Sequence, residues 1–126
     1  MGITFEMIED ILIAFLSGEL DHHSSGKVRE IIDQTFDTFQ AKHLILSFRE
    51  ITFMDSAGVG VVIGRFNKVK KRNGLLAVVD CNDYINRIFE MAAIYTIASY
   101  FPTVEEGVEF FKVKGEEGEL WNTSIR

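Results

Sequence analysis

Two short apolar runs, Leu44 to Phe48 (L-I-L-S-F) and Leu75 to Val79 (L-L-A-V-V), constrain this chain more than any other feature. Neither alternates polar with apolar residues, so each predicts a strand buried on both faces. Between them the period changes. Val59, Val62, Ile63, Phe66 and Val69 recur at i, i+3, i+4, i+7 and i+10, one apolar face of a helix. A strand, a helix and a strand, with both strands covered on two sides, make a crossover unit of a parallel sheet.

The flanking segments extend the pattern. Ile3 to Ile8 alternates, and Ile11 to Leu16 is almost continuously apolar; Glu9-Asp10 between them predicts a hairpin turn without the usual Gly. Residues 18 to 25 (G-E-L-D-H-H-S-S) read as a loop, and Val28, Ile31, Ile32, Thr35, Phe36 and Phe39 follow helical spacing. Asn73-Gly74 predicts the end of the central helix. Ile85, Ile88, Phe89 and Ala92 mark a third helix, and Ile97 to Phe101 a last strand. Thr103 with Glu106 three residues later has the spacing of a capping box, opening a helix through Val104, Val108 and Phe111. The expected fold is α/β: one domain over residues 1–112, with a mixed, mostly parallel sheet of four to five strands, an N-terminal hairpin and about four helices. Residues 113–126 read as a charged, loosely ordered tail for which Trp121 is a candidate tether.

Charge and composition exclude some classes of function. The formal net charge is −6, and no basic cluster is interleaved with aromatics, which argues against a nucleic-acid partner. No apolar run approaches a membrane span. Cys81 is the single cysteine and ends an apolar run, which predicts a buried structural thiol and a cytoplasmic setting. Lys68, Lys70, Lys71 and Arg72 fall in the last turn of the central helix, where the helix dipole favours cations.

Loops leaving the C-terminal ends of parallel strands share one edge of the sheet, where open α/β folds place their sites. Glu19 and Asp21, Asp55 and Ser56, and Asp80 and Asp83 all fall in such loops, so Ser56 is expected on an acidic rim. Ser56 lies at or beside the N-cap of the central helix, and capping is its plainest role. Gly60 and Gly64 follow it at i+4 and i+8, each at a cost of about 1 kcal/mol relative to Ala. At about 100° per residue, Ala57 and Val61 point away from the Val59, Ile63 and Phe66 face, toward solvent or a partner. That spacing suggests a bare strip open to close approach; the alternative is that the glycines press against the protein's own sheet or a neighbouring helix.

The rim admits several chemistries. A serine hydrolase would use Ser56 with His22 or His23 as base and Asp21 or Asp55 as orienter, but D-S-A-G is not a G-x-S-x-G elbow. Asp21 and Asp55 are a possible pair of Mg²⁺ ligands. A glycine-rich phosphate loop with its Lys is absent, as is the acidic pair of a receiver domain. Ser56 is well placed as a substrate for modification.

Together, G-E-L-D-H-H, F-M-D-S-A-G-V-G-V-V-I-G-R-F and R-I-F-E-M-A-A-I resemble the STAS-domain anti-sigma factor antagonists, most closely those of the sporulation type, from about Ile3 to Phe111. The resemblance implies a non-enzymatic, cytoplasmic regulator without a cofactor of its own. It implies that Ser56 is phosphorylated by an anti-sigma factor serine kinase that uses ATP and Mg²⁺. The unphosphorylated form binds that kinase and frees the sigma factor, and a phosphatase restores it. The expected docking face comprises Glu19, Asp21, His22, Asp55, Ala57, Gly58, Gly60, Val61 and Gly64, its glycine strip taken from the helix spacing. Ala57 stands where relatives often carry Ser or Thr, which removes a competing acceptor. The alternative within the same fold is a scaffold subunit of a stress-signalling or transport complex.

Overall fold

The computed structural model describes the backbone of residues 1–124 and the side chains of residues 1–115. Five strands and four helices follow the order β1 (Gly2–Ile8), β2 (Ile11–Leu20), α1 (Ser25–Thr38), β3 (His43–Met54), α2 (Ser56–Lys70), β4 (Leu76–Val79), α3 (Asp83–Met91), β5 (Ser99–Phe101) and α4 (Val104–Ser124), with a short 3₁₀ turn at Ile94–Thr96. In space the strands lie in the order β1-β2-β3-β4-β5. The β1–β2 hairpin is antiparallel and every later pair is parallel. Glu9 closes the hairpin at φ 54°, a left-handed conformation in a position where Gly is the easier residue.

Right-handed crossovers that always step to the next strand must place their helices on one face of the sheet. Alternate strand residues show this. Leu12, Ala14, Leu44, Leu46, Leu76 and Val78 share a core with residues of α1, α2 and α3. Their neighbours Ile11, Ile13, Ile45, Ala77 and Val79 pack with Phe111 of α4 on the other face. Both apolar runs are therefore central strands, as their lack of alternation requires.

Several expected boundaries shift. The segment Gly18 to Leu20 continues β2 instead of looping, because a bulge between Phe15 and Ser17 lets it stay paired with β3. The third strand does not stop at Phe48 but runs to Met54. The last strand begins at Ser99, since Ile94–Thr96 is taken up by the 3₁₀ turn. Asn73, at φ 58°, follows the end of α2 as the Asn-Gly pair indicated. Thr103 caps the last helix by accepting from the amide of Glu106 at 3.2 Å. The division expected at residue 112 falls inside α4, and the Trp121 side chain lies outside the described residues.

Helix α2 is rolled relative to the orientation its apolar spacing predicts. Val61, expected to point outward, is only 3% exposed, and Ile63, expected inside, is 42% exposed. The cause lies at Arg65, which is 5% exposed and brings its Nε to 2.8 Å from Oδ1 of Asp33 on α1. A guanidinium buried against a carboxylate of the adjacent helix holds α2 turned toward α1, which pulls Val61 in and leaves Ile63 out. The pair is imperfect: at 2.8 Å the Arg65 Nε and Asp33 Oδ1 are an ion pair without hydrogen-bond alignment, and Arg65 Nη1 has no hydrogen-bond partner among the described residues. Burial draws the Arg65 pKa down and Asp33 opposes it, which is the balance expected of a buried ion pair. The basic residues at the far end of α2 also tie the two helices together. Lys68 and Arg72 pair with Asp37 at 2.9 and 2.6 Å, and Arg72 donates to the Ala41 carbonyl at 2.8 Å.

Candidate functional site

Beyond Ser47 the sheet narrows. Residue Ser47 is the last of β3 to pair with β4, at Val79, while β2 stays paired with β3 up to Met54. Strand β1 stays beside β2 as far as Ser17, opposite Glu50, so from Ile51 onward β3 is half of a two-stranded ribbon with β2, and it carries Asp55 and Ser56 at its tip.

The N-cap of α2 is Asp55, not Ser56. Its extended backbone (φ −115°, ψ −169°) and its carboxylate, which accepts from the amide of Ala57 at 2.9 Å, are those of a capping residue. The Gly58 amide donates to the Asp55 carbonyl at 3.0 Å. With Asp55 taking the structural role, Ser56 is the first helical residue. It is exposed, and its hydroxyl makes no hydrogen bond among the described residues. The hydroxyl lies at the positive end of a 15-residue helix, where anionic groups are favoured.

The loop after β2 packs beside it. Asp55 Oδ2 also accepts from the amide of His22 at 3.3 Å and lies 3.5 Å from the His22 Nδ1. That imidazole is 72% exposed and is stacked near His23, with ring centroids 3.9 Å apart. Asp21 is less available than a free rim carboxylate. Its Oδ1 accepts from the amides of His23 and Ser24 at 2.9 and 3.1 Å, forming the turn that starts α1. Desolvation is the largest single influence and raises its pKa, but the hydrogen bonds from Ser24 and His23, with the nearby His23 ring, together outweigh it and hold the carboxyl below its ordinary value. Glu19 is exposed, and its carbonyl accepts from Ser24 Oγ at 2.8 Å.

Of the residues expected to form the docking face, Glu19, His22, Ser56 and Gly60 are exposed, and Asp21, Asp55, Ala57 and Gly64 are half-buried. Gly58 and Val61 are not on the surface. A Cβ at Gly58 would lie 2.8 Å from Met54 Sδ, closer still to Cγ, and 3.2 Å from Leu20 Cδ2. Gly60 and Gly64 are the opposite: a Cβ at either meets nothing within 4 Å. The strip of small residues is therefore open, and Ile63, which apolar spacing assigned to the core, is exposed beside it.

Neither histidine hydrogen-bonds the Ser56 hydroxyl among the described residues, so a serine–histidine–aspartate relay is not assembled. No group of three or more His, Cys, Asp or Glu among the described residues is placed to hold a metal ion. A cleft of about 390 Å³ lies elsewhere, lined by Ser47, Arg49, Asp80 and Thr103, and does not include Ser56. Ser56 is presented on an exposed helix start beside the open Gly60 and Gly64 strip, a surface accessible to another protein. Cys81 is inert, since burial and then the nearby Asp80 push its thiol up to about 12. Among the described residues no helix is long and apolar enough to cross a membrane.

Comparison with known proteins agrees with this geometry. The STAS domain model matches residues 3–107. The anti-sigma F factor antagonist of Paenibacillus polymyxa is 39% identical over 97 residues, covering 77% of this chain and 83% of that protein. The solved structure of the anti-sigma factor antagonist SpoIIAA in its unphosphorylated form is 25% identical, with TM-score 0.69, over 90% of this chain and 99% of that one. The Bacillus cell fate determinant SpoIIAA in its phosphorylated form is 26% identical, with TM-score 0.68, over 86% and 97%. By the match across nearly its whole folded length, and by its identity to a curated antagonist, this chain belongs to the STAS-domain family, among the anti-sigma factor antagonists.

Proposed function

We propose that this protein is a partner-switching antagonist: unphosphorylated, it binds an anti-sigma factor serine kinase and releases the sigma factor, and phosphorylation of Ser56 ends that binding. The observation that carries the reading is the exposed, unengaged Ser56 hydroxyl at the start of α2, continuous with the open Gly60 and Gly64 strip. The protein performs no chemistry itself. ATP and Mg²⁺ belong to the kinase, and a serine phosphatase returns the hydroxyl. The binding face comprises Glu19, His22, Ser56, Gly60 and Gly64, to which Ile63 adds an apolar contact.

A phosphate brings about −1.5 to −2 charge at pH 7 to a position next to Asp55. The helix N-terminus offsets part of that repulsion, so the fold need not rearrange. What changes is the surface a partner meets, from a small neutral hydroxyl to a bulky dianion.

Incubation with the cognate anti-sigma kinase and ATP, followed by mass mapping, tests the assignment. Phosphate is expected on Ser56 alone. The neighbouring competitors are Ser24, whose hydroxyl donates to Glu19, and Ser25, the first residue of α1. Phosphate on either of them with Ser56 unmodified would sink the proposal. Ser56→Ala should bind the kinase and stay bound in the presence of ATP, and Ser56→Asp, with only one charge, should bind more weakly than wild type.

A further inference from the structure

Successive backbone groups on a strand point to opposite sides, so one strand's N–H and the preceding carbonyl face different neighbours. At the top of β3 the amide of Asp55 points to β2, reaching the Leu20 carbonyl at a long 3.4 Å. The Met54 carbonyl must then point the other way, toward the place β4 would occupy had it not ended at Val79. No strand is there. Instead the hydroxyl of Tyr84, in the first turn of α3, donates to the Met54 carbonyl at 2.9 Å. This contact joins residues 30 apart and replaces the missing ladder bond one residue before the Asp55 cap.

We propose that Tyr84 is a positioning residue for the modification of Ser56: its hydroxyl holds the unpaired edge of β3, and through it the Asp55–Ser56 junction, in the geometry that presents the serine to the kinase. On the other edge the junction is held by two long bonds, the Asp55 amide to the Leu20 carbonyl at 3.4 Å and the His22 amide to the Asp55 carboxylate at 3.3 Å, so the shorter Tyr84 hydrogen bond fixes the direction in which α2 leaves the ribbon. Packing needs the ring little, because Tyr84 is exposed and only its hydroxyl makes the contact. Removal of that hydroxyl should loosen the junction locally and leave the core intact. The effect on phosphorylation rests on the reading of Ser56 given above, whereas the effect on the backbone does not.

Tyr84→Phe, which deletes only the hydroxyl, separates the two. In hydrogen exchange, the amides of Asp55, Ala57 and Gly58 should exchange about three- to tenfold faster than in wild type, the range covered by one net hydrogen bond. Amides of β2, β4 and α1 that exchange through their own local openings should keep their protection, and the melting temperature should fall by no more than a few degrees. In steady-state phosphorylation by the cognate kinase, kcat should fall by a similar factor with KM within about twofold, since the docking strip on α2 is untouched. Unchanged exchange at Asp55, Ala57 and Gly58 would overturn the proposal, and so would a loss of protection spread evenly over the domain. Faster local exchange with unaltered kcat would overturn the positioning role. If wild type is not phosphorylated on Ser56 at all, the functional reading fails, and the exchange measurement still decides whether Tyr84 holds the junction.

Discussion

Two glycines six residues apart on α2 meet opposite surroundings. Gly58 faces inward, where a methyl group would run into Met54 and reach Leu20. Gly64 faces outward, where a methyl group would touch nothing within 4 Å. Helix propensity disfavours both residues alike, so propensity cannot explain both. On the inner side, the absence of a side chain lets the helix start close down on the ribbon that carries it. On the outer side no described residue fills the space. The inner face of α2 is thus defined by contacts already made, and the outer face is the one the proposed function assigns to a partner.

The largest effect should come from breaking the contact that holds the inner face turned in. Asp33→Ala leaves Arg65 buried without its counter-ion, and should lower stability by about 2–4 kcal/mol in urea denaturation, the Asp33 side chain being partly exposed. Adding Arg65→Met to Asp33→Ala removes both charges and keeps the stem, and should recover much of that loss. If Asp33→Ala proved harmless, the ion pair would not be what sets the roll of the helix.

Gly58→Ala tests the inner face directly. Overpacking against Met54 should cost about 1–3 kcal/mol, partly offset by the gain in helix propensity. Because the clash lies two residues after Ser56, phosphorylation should slow as well. Gly64→Ala should do the reverse, raising stability by up to about 1 kcal/mol with the fold unchanged. Gly64→Leu should melt normally and lose the kinase. A large drop in the melting temperature of Gly64→Leu would erase the contrast between the two faces.

The smallest effect concerns pH. His43 is buried at the start of β3, accepts from the amide of Leu75 at 2.9 Å through Nδ1, and stacks on Phe111. Burial lowers its pKa, and Lys42 adds to this, against a raising effect from Asp10. The folded state thus prefers the neutral ring. Its contribution is complete above the unfolded value of about 6.5 and is lost as pH falls below that value toward the folded pKa. Wild type should therefore show a shallow loss of stability below about pH 6.5. Gly64→Ala should share that slope, since the outer strip holds no titrating side chain, while His43→Gln should flatten it.

Much of the site was legible from local pattern. Ser56 at the helix start, His22 in a neighbouring loop, and an open strip at Gly60 and Gly64 follow from spacing and from the parallel topology, whereas Glu19, expected in that loop, lies at the end of β2. The errors at Val61 and Ile63 have one origin. Apolar periodicity counts Arg65 as a solvent residue and so reports the direction of apolar side chains, whereas the roll of a helix also depends on which charges find partners. Asp33 lies 32 positions away in the chain, and nothing local to either residue signals the pairing. Asp55 displaced Ser56 as the cap because both residue types suit that position, and backbone dihedrals alone distinguish them.

The order of strands and helices, the two central strands, the hairpin and the shared edge for the strand-end loops were determined by the sequence itself. Each depends on the period of apolar residues or on local turn chemistry, properties carried by a few neighbouring positions. What only the tertiary structure decided is how long each strand stays paired and which way α2 faces. Those outcomes depend on distant groups: β4 ends at Val79 and leaves the edge of β3 open, Tyr84 fills that edge, and Asp33 takes the charge of Arg65 into the interior. A hydrogen bond or ion pair between residues 30 or more apart leaves no periodic trace, because its geometry exists only once the chain has folded.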